Sequence, residues 1–218
     1  MNSQTEENYL KALFALSRDK ETVTTRELST KLGIKMPTVT SMMKRFASKN
    51  LVHYESYKPI RLTGKGEKIA SQIIRKHRLT EMFLVAKMGF GWEEVHELAE
   101  QLEHVHSPKF FEKIDELLGY PELDPHGSPI PDKQGNVRQL GYKEICEYQT
   151  GDMVQLMAVQ DTSIEFLSFL NSKELHLGIV IEILSVEPFD HSVVVGYHGH
   201  AKEMFSPVVS RKLLVKKL

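Results

Sequence analysis

Cysteine is almost missing from this 218-residue chain: Cys146 stands alone, so an intrachain disulfide is impossible and nothing argues for an oxidising compartment. No apolar run approaches the roughly 18 residues that a membrane span requires. The opening stretch, MNSQTEENYLKALFAL, has acidic side chains where a secretory signal has basic ones, and no small-residue cleavage site follows. Internal repeats and low-complexity tracts are absent too. These gaps exclude a membrane protein and a disulfide scaffold, and they predict a cytoplasmic location with no membrane partner.

Net charge is also scarce, at a formal −1, but the balance conceals a split. Residues 1–78 hold 16 Lys/Arg against 7 Asp/Glu, a surplus of +9, and residues 79–218 hold 12 against 22, a deficit of −10. Lysine and arginine that neutralise phosphates release condensed counterions, so a basic first third suggests a polyanionic partner. The acidic remainder, with 8 of the 10 histidines, suggests cations. Chance clustering on solvated faces is the plainer account of the same numbers.

Apolar Tyr9, Leu10, Leu13, Phe14 and Leu16 recur at helical spacing and predict a helix over 4–18. Thr24 stands three residues before Glu27, the capping-box pattern, and opens a second helix that carries Leu28 and Leu32 and stops at Gly33. Pro37, tolerated in a first turn, begins a third helix with Val39, Met42, Met43 and Phe46 as its apolar set. Helix, short glycine-containing turn and helix make a helix-turn-helix. Residues 51–54 and 60–63 then predict two strands of a wing around a turn at 57–59. Further helices are expected over 67–88, 92–105 and 108–118. Pro121, Pro125, Gly127, Pro129, Pro131 and Gly135 mark a turn-rich connection over 119–141. Short β-like runs at 153–157, 178–183, 192–195 and 212–215 fit a small barrel.

A recognition helix offers small polar or methyl-bearing groups to base edges, with cations on the flanking phosphates. PTVTSMMKRF supplies Pro37, Thr38, Thr40 and Ser41 on its early face and Lys44 and Arg45 behind them, while Lys58 and Arg61 of the wing could grip an adjacent phosphate. An ordinary solvated basic hairpin would have the same composition. In VHELAEQLEHVH, residues at i, i+4, i+7 and i+8 share a helix face, which brings His96, Glu100, Glu103 and His104 into one stripe. His77 and Glu81 stand at i, i+4 one helix earlier. Repelling carboxylates interleaved with imidazoles invite a divalent cation, and mixed nitrogen and oxygen donors suit manganese, iron, cobalt or zinc. A solvent-facing charged stripe is the commoner fate of such residues.

Taken in order, TEENYLKAL, PTVTSMMKRF, LTGKGEKIA, RKHRLTEMF, VHELAEQLEHV and DPHGSPIP resemble the diphtheria-toxin-repressor family, nearest its manganese-transport-regulator branch. The resemblance covers essentially the whole chain, most specifically residues 5–131. It implies a mainly α fold with a β C-terminal domain: a winged helix-turn-helix over 1–74, a helical metal-binding and dimerisation domain over 75–141, and a small Src-homology-like β-barrel over 142–218. It further implies homodimers that bind palindromic double-stranded operators when loaded with divalent metal and repress genes of metal homeostasis, with no organic cofactor. The family's first metal site falls here on Asn8, His77, Glu100, Glu103 and His104. Its second falls on Glu81, Asp124, His126 and Asp161, joined in iron-type members by the position of His96, with Glu165 a further barrel candidate. Manganese-type members carry aspartate at the position of Asn8, and asparagine offers an amide oxygen without the charge. Asp124 and Glu100 stand where relatives often place cysteine. Hard oxygen donors favour manganese(II) as the activator, with iron(II) the alternative.

The remaining residues draw bland readings. Cys146 is expected to be a small hydrophobe. His53, His176, His191, His198 and His200 lack partners at ligand spacing, and His106 is out of phase with Glu103. Phe83, Leu84, Phe90 and Trp92 are expected in the core or a dimer interface. A metalloenzyme would need paired Glu-x-x-His helices, and only 100–104 comes near. A winged-helix regulator of a non-metal ligand would need a large apolar pocket where this sequence offers a charged stripe.

Overall fold

The computed structural model describes residues 3–17, 20 and 22–218. Local signals set the first helices. α1 (Gln4–Leu16) opens with a reciprocal cap, Ser3 Oγ accepting from the Glu6 N–H (3.3 Å) while the Glu6 carboxylate accepts from the Ser3 N–H (3.2 Å). Arg18, expected to end this helix, lies outside the described residues. α2 (Thr25–Leu32) has the anticipated Thr24–Glu27 box and ends on Gly33, whose φ of 65° is the left-handed conformation that glycine adopts without steric cost. α3 (Met36–Ser48) follows with Pro37 in its first turn.

Buried Val39, Met43 and Phe46 of α3 pack into one core with Tyr9, Leu10, Leu13, Val23 and Leu28. The Tyr9 and Phe46 rings meet edge to face, 6.3 Å between centroids. β1 (Val52–His53) pairs antiparallel with β2 (Arg61–Leu62), and an isolated bridge from Val23 to Ile60 ties the wing to the segment before α2. α4 (Gly64–Met88), α5 (Val95–Leu102) and α6 (Pro108–Leu117) complete the helical part. α5 is shorter than expected at both ends: the Glu94 N–H closes a turn on the Gly91 carbonyl, and Glu103 and His104 form a turn beyond its last residue.

The chain forms two compact units, and the division falls inside α4, α5 and α6. Unit 1 is Met1–Thr80, Glu100–Ile114 and Ile130–Arg138; unit 2 is Glu81–Ala99, Asp115–Pro129 and Gln139–Leu218. Unit 2 contains an antiparallel sheet of β3 (Lys143–Glu144), β4 (Met153–Val159), β5 (Val180–Val186), β6 (Val193–Tyr197), β7 (His200–Phe205) and β8 (Leu213–Lys217), in the order β3-β8-β4-β5-β6-β7. Register shifts in the β4–β8, β5–β6 and β6–β7 ladders bend it. The expected small barrel thus takes the form of a bulged six-stranded sheet around Val154, Leu156, Ile181, Ile183, Val193, Val195, Leu213 and Val215. The elements that were not foreseen include β7 and the helix α7 (Ile164–Ser172), which packs Phe166, Leu167 and Leu170 into that core. No helix among the described residues is long and apolar enough to cross a membrane.

Candidate metal centres and nucleic-acid face

With Val39, Met43 and Phe46 turned inward, α3 leaves Pro37, Thr38, Ser41, Lys44 and Arg45 exposed and Thr40 half-buried. Lys58 and Arg61 are exposed in the wing, where Lys58 pairs with Glu55 (2.6 Å). Arg45 does more than face outward. Its Nε lies 3.1 Å from Glu6, and Lys49 reaches the same carboxylate oxygen at 2.6 Å, so α1 grips the last turn of α3 through a side chain only 2% exposed. Burial alone would push the Glu6 carboxyl up, but the Lys49 hydrogen bond, the Ser3 N–H and the charges of Lys49 and Arg45 hold it below the ordinary range. A depressed carboxylate contributes stability above its unfolded pKa of about 4.3 and loses it as pH falls toward the folded value. Chemical denaturation of wild type and Glu6→Gln between pH 7 and 3 should therefore show two curves converging as acidity rises. Parallel curves would rule the grip out.

In unit 1 the residues expected at the first metal site do gather, with two that sequence reasoning passed over, Glu7 and Lys11. Glu103 is fully buried and accepts from His77 Nδ1 at 2.6 Å; His104 Nδ1 donates to Glu7 at 2.6 Å. The Lys11 ammonium bonds both Glu103 oxygens (2.9 and 3.0 Å) and also Glu100. Burial would raise the Glu103 carboxyl, but the His77 hydrogen bond and the charges of Lys11 and His77 outweigh it and hold it low. Asn8 Oδ1 is buried without a hydrogen-bond partner among the described residues. Glu103 and His104 lie in a turn just past the last residue of α5, while Glu100 is within it. α1 supplied the missing signal: Glu7 and Lys11 stand at i, i+4, but what they meet is about 90 residues away in sequence.

In unit 2 a second group forms. One ligand atom from each of Glu81, Asp124 and His126 lies within 4.8 Å of the others, and all three residues are buried. Glu81 stands on α4, and the turn that presents Asp124 and His126 is closed locally: Asp124 Oδ1 accepts from the N–H groups of His126 and Ser128 (2.9 Å each), and the Asp124 N–H returns to the Ser128 carbonyl. Gly127, at φ 82°, is obligatory, since a Cβ there would stand 2.1 Å from the Met157 carbonyl oxygen. His126 Nε2–H donates to the Trp92 carbonyl (2.8 Å), and the Trp92 ring stacks at 6.0 Å. A carbonyl only accepts, so the proton sits on Nε2 and Nδ1 carries the lone pair. That Nδ1 is buried with no hydrogen-bond partner among the described residues, and Glu81 at 3.8 Å is too far to supply one. Burial would lower the imidazole pKa, but Glu81 and Asp124 overcome it and raise it, the mark of a place that attracts positive charge. Two buried carboxylates around an orphaned imidazole nitrogen fit a divalent cation.

Of the other expected ligands, His96 lies half-exposed beside Glu81 at 3.1 Å. Asp161 does not join the group; its carboxylate is taken by Lys212 and the Ser163 N–H, and Glu165 is exposed in the first turn of α7. Trp92, expected as core or interface, contributes a backbone oxygen that composition could not reveal. Cys146, expected to be buried, is only half-buried against the sheet core.

Residues 1–60 match the family described as iron dependent repressor, N-terminal DNA binding domain, and residues 63–132 match the iron dependent repressor, metal binding and dimerisation domain. The iron-dependent repressor IdeR of Mycobacterium bovis is 34% identical over 127 residues, 58% of this chain and 55% of its own length, so the match spans little more than half of that relative. A manganese-dependent transcriptional repressor solved in complex with manganese superposes with a TM-score of 0.89 at 28% identity, covering 98% of this chain and 100% of that one. ScaR with bound zinc superposes at 0.82 with 31% identity over 98% and 99% of the two chains.

Proposed function

Since the chain belongs to the iron-dependent repressor family, whose members include the diphtheria toxin repressors and are transcriptional repressors rather than enzymes, we propose that it represses transcription by binding operator DNA in response to a divalent metal. The observation that carries this reading is the buried Glu81–Asp124–His126 group in a chain that also presents a basic recognition helix. These three residues would hold the ion. Bound there, it supplies the positive charge that two buried carboxylates lack. The protein's own part is to fix the ligands: the Trp92 carbonyl orients His126, the His126 and Ser128 N–H groups orient Asp124, and His96 braces Glu81.

The chain acts as a homodimer on a palindromic operator, with Thr38, Thr40 and Ser41 toward base edges and Lys44, Arg45, Lys58 and Arg61 toward phosphates. A two-fold dimer spaces its recognition helices about 34 Å apart, or a multiple of that, along the DNA. Manganese(II) is the activator, because two carboxylates and one imidazole form a hard donor set without sulfur. Iron(II) is the second reading, favoured by the relatives described as iron-dependent repressors. Fluorescence anisotropy of labelled operator, with chelator, with manganese(II) and with iron(II) under exclusion of oxygen, tests all of this. Manganese should tighten binding by roughly 5–150-fold, the usual range of allosteric coupling. Affinity indifferent to chelation would defeat the reading, and activation by iron at lower free metal would reverse the choice of ion.

A further inference from the structure

The two acidic groups are not equivalent. We propose that the Lys11 ammonium is the permanent cation of the unit 1 cluster, so that Glu7, Glu100, Glu103, His77 and His104 form an ion-pair network that, with the neutral Asn8 beside it, takes up no divalent metal. This rests on the reading of the chain as a metal-responsive repressor and deepens it, because the response then belongs to Glu81, Asp124 and His126 alone.

Donor arithmetic is the first argument. An ammonium has three N–H groups, and three carboxylate oxygens receive them: Glu100 Oε1, Glu103 Oε1 at 2.9 Å and Glu103 Oε2 at 3.0 Å. A metal ion using the same oxygens would have to sit beside the ammonium, where like charges repel most strongly because burial removes the screening water. The Nδ1 atoms of the imidazoles tie further carboxylates into the same network, His77 to Glu103 and His104 to Glu7. Asn8 adds a neutral oxygen, which one hydrogen-bond donor can satisfy and which brings no charge for an ion to neutralise. In the unit 2 group, by contrast, an imidazole nitrogen is left with its lone pair inward. Lys11 also does locally what a bound ion would do, joining α1 to the turn after α5. Since Glu6 of the same helix grips Arg45 and Lys49, α1 is anchored to α3 and to the acidic turn whether or not metal is present.

The test counts manganese(II) bound per full-length chain, by equilibrium dialysis with electron paramagnetic resonance of the free ion, for wild type, Glu103→Gln, Lys11→Met, Lys11→Arg and His126→Ala. Wild type should hold about one ion, Glu103→Gln and Lys11→Arg the same, and His126→Ala none. Lys11→Met should gain a second ion and, without metal, melt below wild type. Glu103→Gln is nearly isosteric, so its comparison with wild type decides even where Lys11→Met folds poorly. Two ions in wild type with one lost in Glu103→Gln would overturn the inference, and so would a folded Lys11→Met chain that stays at one. Wild type with no ion at all would instead defeat the metal-responsive reading.

Discussion

Replacing His126 by alanine should erase the metal response of DNA binding while leaving the affinity measured in chelator where it was. Nδ1 of this residue is the one buried ligand nitrogen in unit 2 with no hydrogen-bond partner among the described residues, and its orientation is set by a backbone carbonyl. Removing it takes away the neutral donor and leaves Glu81 and Asp124 facing each other in a buried site. The expected loss is the whole gain conferred by metal, roughly 5–150-fold in operator affinity, read by anisotropy with and without manganese(II). His77→Ala, in the other cluster, serves as a control that should retain the gain. Full metal activation in His126→Ala would remove the unit 2 group from the mechanism.

A second large effect is expected at Phe46. Its side chain is fully buried, closes the core under the recognition helix and takes the edge of Tyr9. Truncating a buried phenylalanine to alanine costs about 3–5 kcal/mol through lost transfer energy and the cavity left behind. That is a large share of the roughly 5–15 kcal/mol that holds a typical domain together. Urea denaturation of Phe46→Ala, followed by far-ultraviolet circular dichroism, should show the DNA-binding part unfolding at much lower denaturant. A cost under about 1 kcal/mol would mean that α3 does not pack as described.

These two residues also show what the sequence made legible. Phe46 was readable because Val39, Met43 and Phe46 repeat at helical spacing, and the Thr24–Glu27 box and Gly33 bracket α2 by chemistry that acts within four residues. His126 was a candidate only through resemblance, since nothing in DPHG reveals that a carbonyl 34 residues earlier will pin its ring. α7 escaped notice although Phe166, Leu167 and Leu170 have helical spacing, because IEFLSFL is apolar enough to read either way among strands. β7 is an exposed, charged strand at the sheet edge with little alternation to detect. Lys11 was invisible for a different reason. It belongs to an amphipathic helix where a lysine is unremarked, and its meaning arises only when carboxylates from residues 100 and 103 close around it.

The turn from Asp124 to Ser128 is stitched to β4. The Val159 N–H donates to the His126 carbonyl at 3.0 Å, and Gly127 lies so close to the Met157 carbonyl that no side chain could come between them. A cation held by Asp124, His126 and Glu81, residues only 6, 1 and 3% exposed, cannot depart along an open channel lined by flexible loop. Its release would require the turn to lift from the strand, a local opening that would depend on the stability of the sheet. The clock of such a sensor is therefore asymmetric. Derepression after metal withdrawal would then run at the pace of that opening, and a substitution that loosens β4, far from any ligand, would shorten the memory of past metal without altering which ion is preferred.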